Sequence, residues 1–367
     1  MRWILVPALA ASVLAQTIPS RVRSLREQMA GVEPETASQH AALETSQYIV
    51  DALERAYGMR NPPISNPAAA KKGAKKPRPR KRLPKLNMPQ DLVLAEQLVE
   101  ALCSGEDPFE TRTGDMRMAY RSEVDGTLQP YRIFVPEGFD RQQSYPLMIV
   151  LHGLSGDENT YFDRYVTKDG TKVLHHEAQQ RGYIVAAPKG RAPSGRYIGA
   201  AEKDVLDVVE QVMAIYPIRE DQIFLTGHSL GGVGTWKIGF RHAARFAGLA
   251  AVGSAFSGQR NVVNVLPLDN KRGMPVLYVQ GRRDWLATLR MGRLFAQHAT
   301  RLLPNFIYKE FPDNHSRIGT ASLPAVFDFF DQVRDGREWV AEEIPPLPAP
   351  QRPPKRKRPA TKTSAAG

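Results

Sequence analysis

From about Arg112 onward, short apolar runs alternate with segments that have helical spacing of apolar residues. The runs lie at 131–136, 146–153, 183–187, 223–229, 249–256, 275–281 and 306–312. Helix-like segments such as EKDVLDVVEQVMAIY and GVGTWKIGFRHAARF separate them. Buried apolar strands that alternate with helices predict an α/β fold, with a largely parallel sheet and helices on both faces.

The first hundred residues have a different pattern. Apolar residues recur at helical spacing over 21–58, and a second helix is predicted in DLVLAEQLVEALCSG. Between them, residues 61–90 are rich in proline and lysine and contain little to bury, which predicts an extended linker. The pattern allows these helices either to form a small separate unit or to pack on the main domain. The predicted organisation is a signal peptide 1–15, a helical segment 16–60, a basic linker 61–90, a helix 91–111, a main α/β domain 112–340 and a proline-rich disordered tail 341–367.

The net charge of +12 is concentrated in two segments. Residues 61–90 carry nine Lys or Arg and residues 345–367 carry six, with no acid in either. Without these fifteen, 35 basic residues face 38 acidic ones, a net of −3. The excess of basic residues is therefore confined to the linker and the tail. It says little about the electrostatic field at a site in the main domain.

The N-terminus has the features of an export signal. Arg2 precedes an apolar run from Trp3 to Leu14, and small residues Val13 and Ala15 predict cleavage after Ala15. The run is too short for a transmembrane span, which needs about 20 apolar residues. We therefore expect a secreted or periplasmic protein. The single cysteine, Cys103, permits no intrachain disulfide and is expected to be a buried small apolar residue.

The stretch FLTGHSLGG places Ser229 between an apolar run and a predicted helix. A strained strand-to-helix turn of this kind exposes a serine for nucleophilic attack, and Gly227 and Gly231 lack the Cβ atoms that would crowd it. A glycine-rich turn with an inert serine is the alternative. The strand-to-helix context favours the nucleophile.

A serine nucleophile needs a base, and the base needs an acid that orients it. In this arrangement the chain order is serine, acid, histidine, each after a strand. Asp284 follows the run at 275–281, and His315 follows the run at 306–312. Asp313 and Glu310 are alternative acids, but Asp313 is only two residues from the histidine and would have to fold back.

The remaining histidines give no metal motif, since HHE at 175–177 is not H-E-x-x-H. His228 is expected to point away from the partner of Ser229. The expected oxyanion donors are the backbone amides of Leu230, directly after the serine, and Leu154, after Gly153 in LHGLSGDE. His152 is expected to hold that loop rather than act as a base.

These motifs resemble secreted bacterial esterases of the α/β-hydrolase superfamily. The resemblance covers roughly residues 112–335 and rests on YRIFVPEGFDRQQSYPLMIVLHGLSGDE, EDQIFLTGHSLGGVGTW, VLYVQGRRDWL and PDNHS. Feruloyl esterases, polyhydroxybutyrate depolymerases and the phospholipase/carboxylesterase group are of this type. The resemblance implies ester hydrolysis through an acyl-serine without a cofactor, on a small or polymer-linked ester. The N-terminal helices and the basic linker are not part of that pattern.

Two other functions are compatible with the same motifs. One is a peptidase like the catalytic domain of prolyl oligopeptidase, although no propeller-like repeat precedes the core. The other is a cell-surface binding protein on a hydrolase scaffold. Trp236, Trp285 and Tyr161 are candidates for an aromatic pocket, with ordinary packing as the favoured alternative.

The basic segments KKGAKKPRPRKR and PKRKRP are expected to be solvated linker and tail, or to contact an acidic cell-envelope polymer. Specific nucleic-acid binding is not expected, because aromatic residues are not interleaved with the basic ones.

Overall fold

The computed structural model describes residues 17–59, 87–192, 195–254, 273–337 and 343–348. The predicted signal peptide and nearly all of the predicted linker lie outside these residues. In the described part, eight strands form one sheet with the order β1-β2-β4-β3-β5-β6-β7-β8. The strands are β1 Gly114–Arg121, β2 Leu128–Val135, β3 Tyr145–Leu151, β4 Ile184–Pro188, β5 Ile218–His228, β6 Gly248–Val252, β7 Val276–Gly281 and β8 Phe306–Phe311.

The sheet is mostly parallel, as predicted. β1 pairs with β2, and β2 with β4, in antiparallel register, whereas every pair from β4 to β8 is parallel. The described helices are α1 Ile18–Met29, α2 Ala37–Ala56, α3 Met88–Ser104, α4 Thr160–Asp163, α5 Val173–Arg181, α6 Ala200–Ile215, α7 Leu230–Arg241, α8 Leu289–Leu302, α9 His315–Ala321 and α10 Leu323–Arg334. The carboxyl ends of the parallel strands meet at one edge, where an α/β sheet places its functional site.

Helices cover both faces because side chains of a strand alternate between the faces. In β3, Leu147, Ile149 and Leu151 belong to the apolar cluster beneath α6, α7 and α8. Met148 and Val150 belong to the opposite cluster, which includes residues of α5 and α10. All seven residues of β3 are buried, as expected for a strand covered on both sides.

The N-terminal helices pack on the main domain at the edge of the sheet. The outward amide of Ala119 in β1 donates to Thr45 Oγ1 over 2.9 Å, and that of Arg121 donates to Glu44 Oε2 over 3.0 Å. Side chains of α2 therefore satisfy backbone donors that an uncovered edge strand would present to another chain. This placement answers the question that the sequence pattern left open.

Three expectations differ from the structure. Helix α3 begins at Met88, so residues 88–90 belong to the helix and not to the predicted linker. Cys103 is exposed on the last turn of α3, because the buried face of that helix is formed by other residues, including Leu98, Val99 and Leu102.

The third difference concerns the predicted disordered tail, since residues 343–348 pack on the domain. Ile344 contacts the core, and Arg290 Nη1 in α8 donates to the carbonyl of Pro348 over 3.1 Å. The carbonyl of Pro346 likewise accepts a hydrogen bond from Arg293 Nη1 in α8, so this segment is attached to the domain without regular secondary structure.

Candidate active site

Ser229 lies in a sharp turn between the end of β5 and the start of α7. Its φ of +57° and ψ of −116° are sterically unfavourable for a residue with a side chain. Its amide donates to the carbonyl of Val252 over 2.9 Å, which fixes the turn against β6. A strained backbone of this kind costs about 1–3 kcal/mol and persists only where the surroundings enforce it.

The two predicted glycines allow chain segments to approach closely at this turn. A Cβ atom at Gly231 would overlap the carbonyl of Leu151 at the end of β3. A Cβ atom at Gly227 would overlap the backbone of Gly231 itself. The turn at Ser229 therefore lies directly against the neighbouring strand, with no space for a larger residue at either position.

The structure brings Ser229, His315 and Asp284 together in one hydrogen-bond chain. His315 Nε2 lies 2.8 Å from Ser229 Oγ, and His315 Nδ1 lies 2.8 Å from Asp284 Oδ2. The other carboxylate oxygen of Asp284 accepts the amides of Leu286 and Ala287, each over 2.8 Å. The carboxylate is thus locked in orientation, and both His315 and Asp284 are buried.

The alternative acids do not occupy this position. The carboxylate of Glu310 pairs with Arg293 over 2.6 Å and with Arg282 over 3.2 Å. The backbone carbonyl of Asp313 accepts the amide of Arg283 over 3.0 Å. Asp284 is therefore the carboxylate that contacts the imidazole.

The predicted oxyanion amides lie on the two segments that flank Ser229. Leu230 is the first residue of α7, and Leu154 lies in the β3 loop, residues 152–159. A Cβ atom at Gly153 would lie 3.4 Å from the Cβ of Ser229, so this loop passes at contact distance from Ser229. Among the described residues, neither amide has a hydrogen-bond partner, so both are available to an incoming oxygen.

His228 does not point away from the site, which corrects the expectation from the sequence. Its ring centroid lies 5.0 Å from that of His315. The expectation rested on the position of His228 directly before Ser229, whereas the position of its ring relative to His315 depends on the loop that carries His315, 87 positions later. Burial, and then the proximity of His315, lower the pKa of His228 to about 4. It is therefore neutral beside the triad at neutral pH.

The three candidate pocket aromatics have different environments. Trp236 is fully buried, and its indole N–H donates to Ser254 Oγ over 3.2 Å. Tyr161 is buried with its ring 4.2 Å from that of Tyr165. Trp285 is 68% exposed, and its ring lies 6.0 Å from that of His315. Only Trp285 of the three therefore stands in the open beside the triad.

Within the described ranges, no three metal-ligating side chains are grouped to hold an ion. The same part of the chain contains no helix that is both long enough and apolar enough to span a bilayer.

Comparisons with known proteins identify the fold. A ferulic acid esterase superposes with a TM-score of 0.52 and 16% identity, over 60% of this chain and 100% of that one. Another FAE structure gives a TM-score of 0.50 and 17% identity, over 60% of this chain and 89% of the other. Fluorophosphonate-binding serine hydrolase F of Staphylococcus aureus aligns with a TM-score of 0.49 and 20% identity, over 59% and 98% of the two chains. The chain has the α/β-hydrolase fold.

Sequence comparison gives a shorter match. The probable dipeptidyl-peptidase 5 of Aspergillus flavus is 34% identical over 74 residues, which is 20% of this chain and 9% of that protein. Dipeptidyl-peptidase 5 of Aspergillus oryzae gives the same figures. The alignment therefore spans less than a tenth of either relative, and no family model matches the chain.

Proposed function

We propose that the protein is a serine hydrolase that cleaves carboxylic esters through an acyl-serine intermediate. The observation that carries this proposal is the unbroken hydrogen-bond chain from Ser229 through His315 to Asp284, with bond distances of 2.8 Å at both steps. The ester hydrolases among the structures with the same fold support the choice of substrate class.

In the acylation step, Ser229 Oγ attacks the ester carbonyl while its proton passes to His315 Nε2. The Asp284 carboxylate accepts a hydrogen bond from Nδ1–H of His315, which fixes the tautomer and stabilises the imidazolium that forms. The carbonyl oxygen becomes negative and is bound by the amides of Leu154 and Leu230. Each such donor contributes about 3 kcal/mol to lowering the barrier.

The tetrahedral intermediate collapses when His315 gives its proton to the leaving alcohol. In deacylation, His315 takes a proton from water, and the hydroxide attacks the acyl-serine carbonyl. The same two amides bind the second oxyanion. Release of the carboxylic acid and return of the proton to Ser229 complete the cycle.

A second candidate, serine peptidase activity, is favoured by one observation, the 34% identity to dipeptidyl-peptidase 5 over 74 residues. The triad chemistry is the same for an amide, except that His315 must protonate an amine. Ester cleavage is preferred because two ferulic acid esterase structures superpose over 60% of this chain, against 20% for the peptidase match.

The deciding experiment compares p-nitrophenyl esters of graded acyl length with dipeptidyl p-nitroanilides, using wild type and Ser229→Ala. We expect ester turnover by the wild type, loss of turnover in the variant and little amide cleavage. Amide cleavage above ester cleavage would establish the peptidase. An absence of both, with no fluorophosphonate labelling of Ser229, would favour a binding protein on this scaffold.

We further propose export after cleavage at Ala15 and contact of the basic segments with an acidic envelope polymer, on the sequence features of residues 1–15, 61–90 and 345–367. N-terminal sequencing of the exported protein tests the cleavage. Deletion of both basic segments should leave turnover of a small ester unchanged and reduce binding to an anionic polymer. A large fall in turnover would show that the segments contact the active site.

A further inference from the structure

The β3 loop, which carries Leu154, is joined by two reciprocal hydrogen bonds to the β4 loop, residues 189–199, described except at 193 and 194. The Tyr197 hydroxyl donates to the carbonyl of His152 over 3.0 Å. In return, His152 Nε2 lies 3.0 Å from the carbonyl of Lys189 and donates to it in the Nε2–H tautomer, while Nδ1 lies 2.9 Å from the carbonyl of Gly153. Each loop thus supplies one side-chain donor and one backbone acceptor to the other.

We infer that Tyr197 is a positioning residue for the oxyanion site, acting through the carbonyl of His152 on the amide of Leu154. This inference rests on the proposed ester hydrolysis. It assigns a role in transition-state stabilisation to a residue that contacts neither the substrate nor the triad.

The conformation of Tyr197 is unfavourable for its residue type. Its φ is +54°, a left-handed value that is uncommon for a residue with a bulky side chain. The residue is also buried, with 1% of its surface exposed, so its neighbours hold it in this conformation. Unfavourable backbone conformations that persist in a folded protein are concentrated at functional sites, where the surroundings hold them in place.

Two glycines form the slot that holds the ring. A Cβ atom at Gly190 would lie 2.8 Å from the Tyr197 ring, and one at Gly234 would also lie 2.8 Å from it. Gly234 belongs to α7, the helix that begins with Leu230. Tyr197 therefore contacts both elements that provide the oxyanion amides, the β3 loop by its hydroxyl and α7 by its ring.

The hydrogen bond from the Tyr197 hydroxyl fixes the peptide group directly before Gly153 in the β3 loop. His152 precedes Gly153, which has no side chain to limit its φ and ψ. Fixing the His152 carbonyl orients the peptide before Gly153 and so limits the directions available to the Leu154 amide. Burial holds the pKa of the Tyr197 phenol well above its ordinary value, so the hydroxyl keeps its proton and remains a donor.

The test compares Tyr197→Phe, which keeps the ring and removes the donor, with Tyr183→Phe as a matched control. The Tyr183 hydroxyl donates to Asp331 over 3.0 Å, on the helix α10 and away from the β3 loop. The measurements are kcat and KM on one p-nitrophenyl ester, the inhibition constant of a trifluoromethyl ketone that forms an oxyanion adduct, and the rate of fluorophosphonate labelling of Ser229.

For Tyr197→Phe, we expect kcat to fall about 10- to 100-fold with KM nearly unchanged, less than the 10²- to 10³-fold loss from removing an oxyanion donor outright. The inhibition constant should rise, and the labelling rate fall, by a similar factor. Tyr183→Phe should leave all three close to wild type. Unchanged kcat in Tyr197→Phe, or a change confined to KM or to thermal stability, would overturn the inference while leaving ester hydrolysis intact.

The experiment also separates failure of the variant to fold from failure of the proposed ester hydrolysis. If Tyr197→Phe does not fold, Tyr197→Met removes the same donor and fills the slot with a flexible apolar side chain, and wild-type kcat in that variant would overturn the inference. If the wild type cleaves no ester, the proposed function is wrong. The labelling rate then still tests the positioning, because phosphonylation of Ser229 also develops charge on an oxygen at this site.

Discussion

The rings of His228 and His315 lie side by side at the carboxyl end of the sheet, with their centroids 5.0 Å apart. His315 takes up a proton during the proposed reaction, whereas His228 is buried with its Nε2 unpartnered among the described residues. A second imidazolium at this position would oppose the first. Keeping His228 neutral therefore protects the protonated state of His315 that the reaction requires.

The lowered pKa of His228 predicts a pH dependence of stability. Its pKa is about 4 in the folded protein and 6.5 in an unfolded chain, so between these values the unfolded state binds more protons. The contribution to the free energy of unfolding is complete above pH 6.5 and is lost as the pH falls towards 4. At 1.36 kcal/mol for each pKa unit, the loss is roughly 3 kcal/mol.

Urea unfolding of wild type and His228→Phe from pH 4 to pH 7 measures this contribution. We expect the variant to lose stability less steeply as the pH falls through this window. His176→Gln, at an exposed position, should follow the wild-type curve. Parallel curves for wild type and His228→Phe would contradict the assignment.

Because Asp284 orients His315, we expect its replacement to lower kcat far more than replacement of the nearby Asp313. Asp284→Asn should lower kcat by about 10⁴-fold, because an amide N–H cannot accept a hydrogen bond from Nδ1–H and the imidazole adopts the wrong tautomer. Asp313→Asn should change kcat by no more than a few-fold, since Asp313 contributes a backbone carbonyl to the local structure. Kinetics on one p-nitrophenyl ester compare the two. A loss in Asp313→Asn as large as that in Asp284→Asn would reassign the acid.

The contact of Gly231 with β3 predicts that no larger residue is tolerated there. Gly231→Ala should lower the free energy of unfolding by about 3 kcal/mol or more, because the new methyl group meets a backbone carbonyl that cannot move aside. Gly248→Ala in β6 is a matched control, since its added Cβ would meet its nearest neighbours at 3.5 Å. Equal thermal stability of the two variants would show that the turn can relax.

The apolar strands and the triad were predictable from the sequence because both follow from local patterns. The runs at 146–153 and 275–281 are mostly apolar, and Ser229, Asp284 and His315 lie at or shortly after the ends of the runs at 223–229, 275–281 and 306–312. The edge strand β1 was not predicted. Its sequence GDMRMAYR includes Arg117, which is buried only because its charge is compensated by other parts of the chain.

The unpredicted features of the site depend on contacts between distant segments. The ring of His228 meets that of His315 across 87 positions of sequence, and Tyr197 meets His152 across 45 positions. The hydrogen bonds from β1 to α2 likewise join residues more than 70 positions apart. No local pattern of apolar and polar residues indicates such pairs.

Arg117 joins the N-terminal helices to the β3 loop through a buried ionic network. Its guanidinium bonds Asp91 of α3 over 3.3 Å, and Glu158 and Asn159 at the far end of the β3 loop over 2.9 Å and 3.1 Å. Arg117, Asp91 and Glu158 are all buried. Arg117 of β1 therefore links the helix α3 to the loop that carries Leu154.

Replacement of Arg117 by methionine should destabilise the protein by about 3–5 kcal/mol, because two buried carboxylates would lose their compensating charge. Arg219→Met is the control, since Arg219 and Asp221 form an exposed pair that contributes only about 0–1 kcal/mol. Urea unfolding at pH 7 measures both variants. At pH 5, Arg117→Met should lower the free energy of unfolding by less than at pH 7. Carboxylates that have lost their arginine partner take up protons more readily, and the neutral form is less costly to bury. An equal loss at both pH values would show that packing of the arginine stem, and not its charge, stabilises this junction.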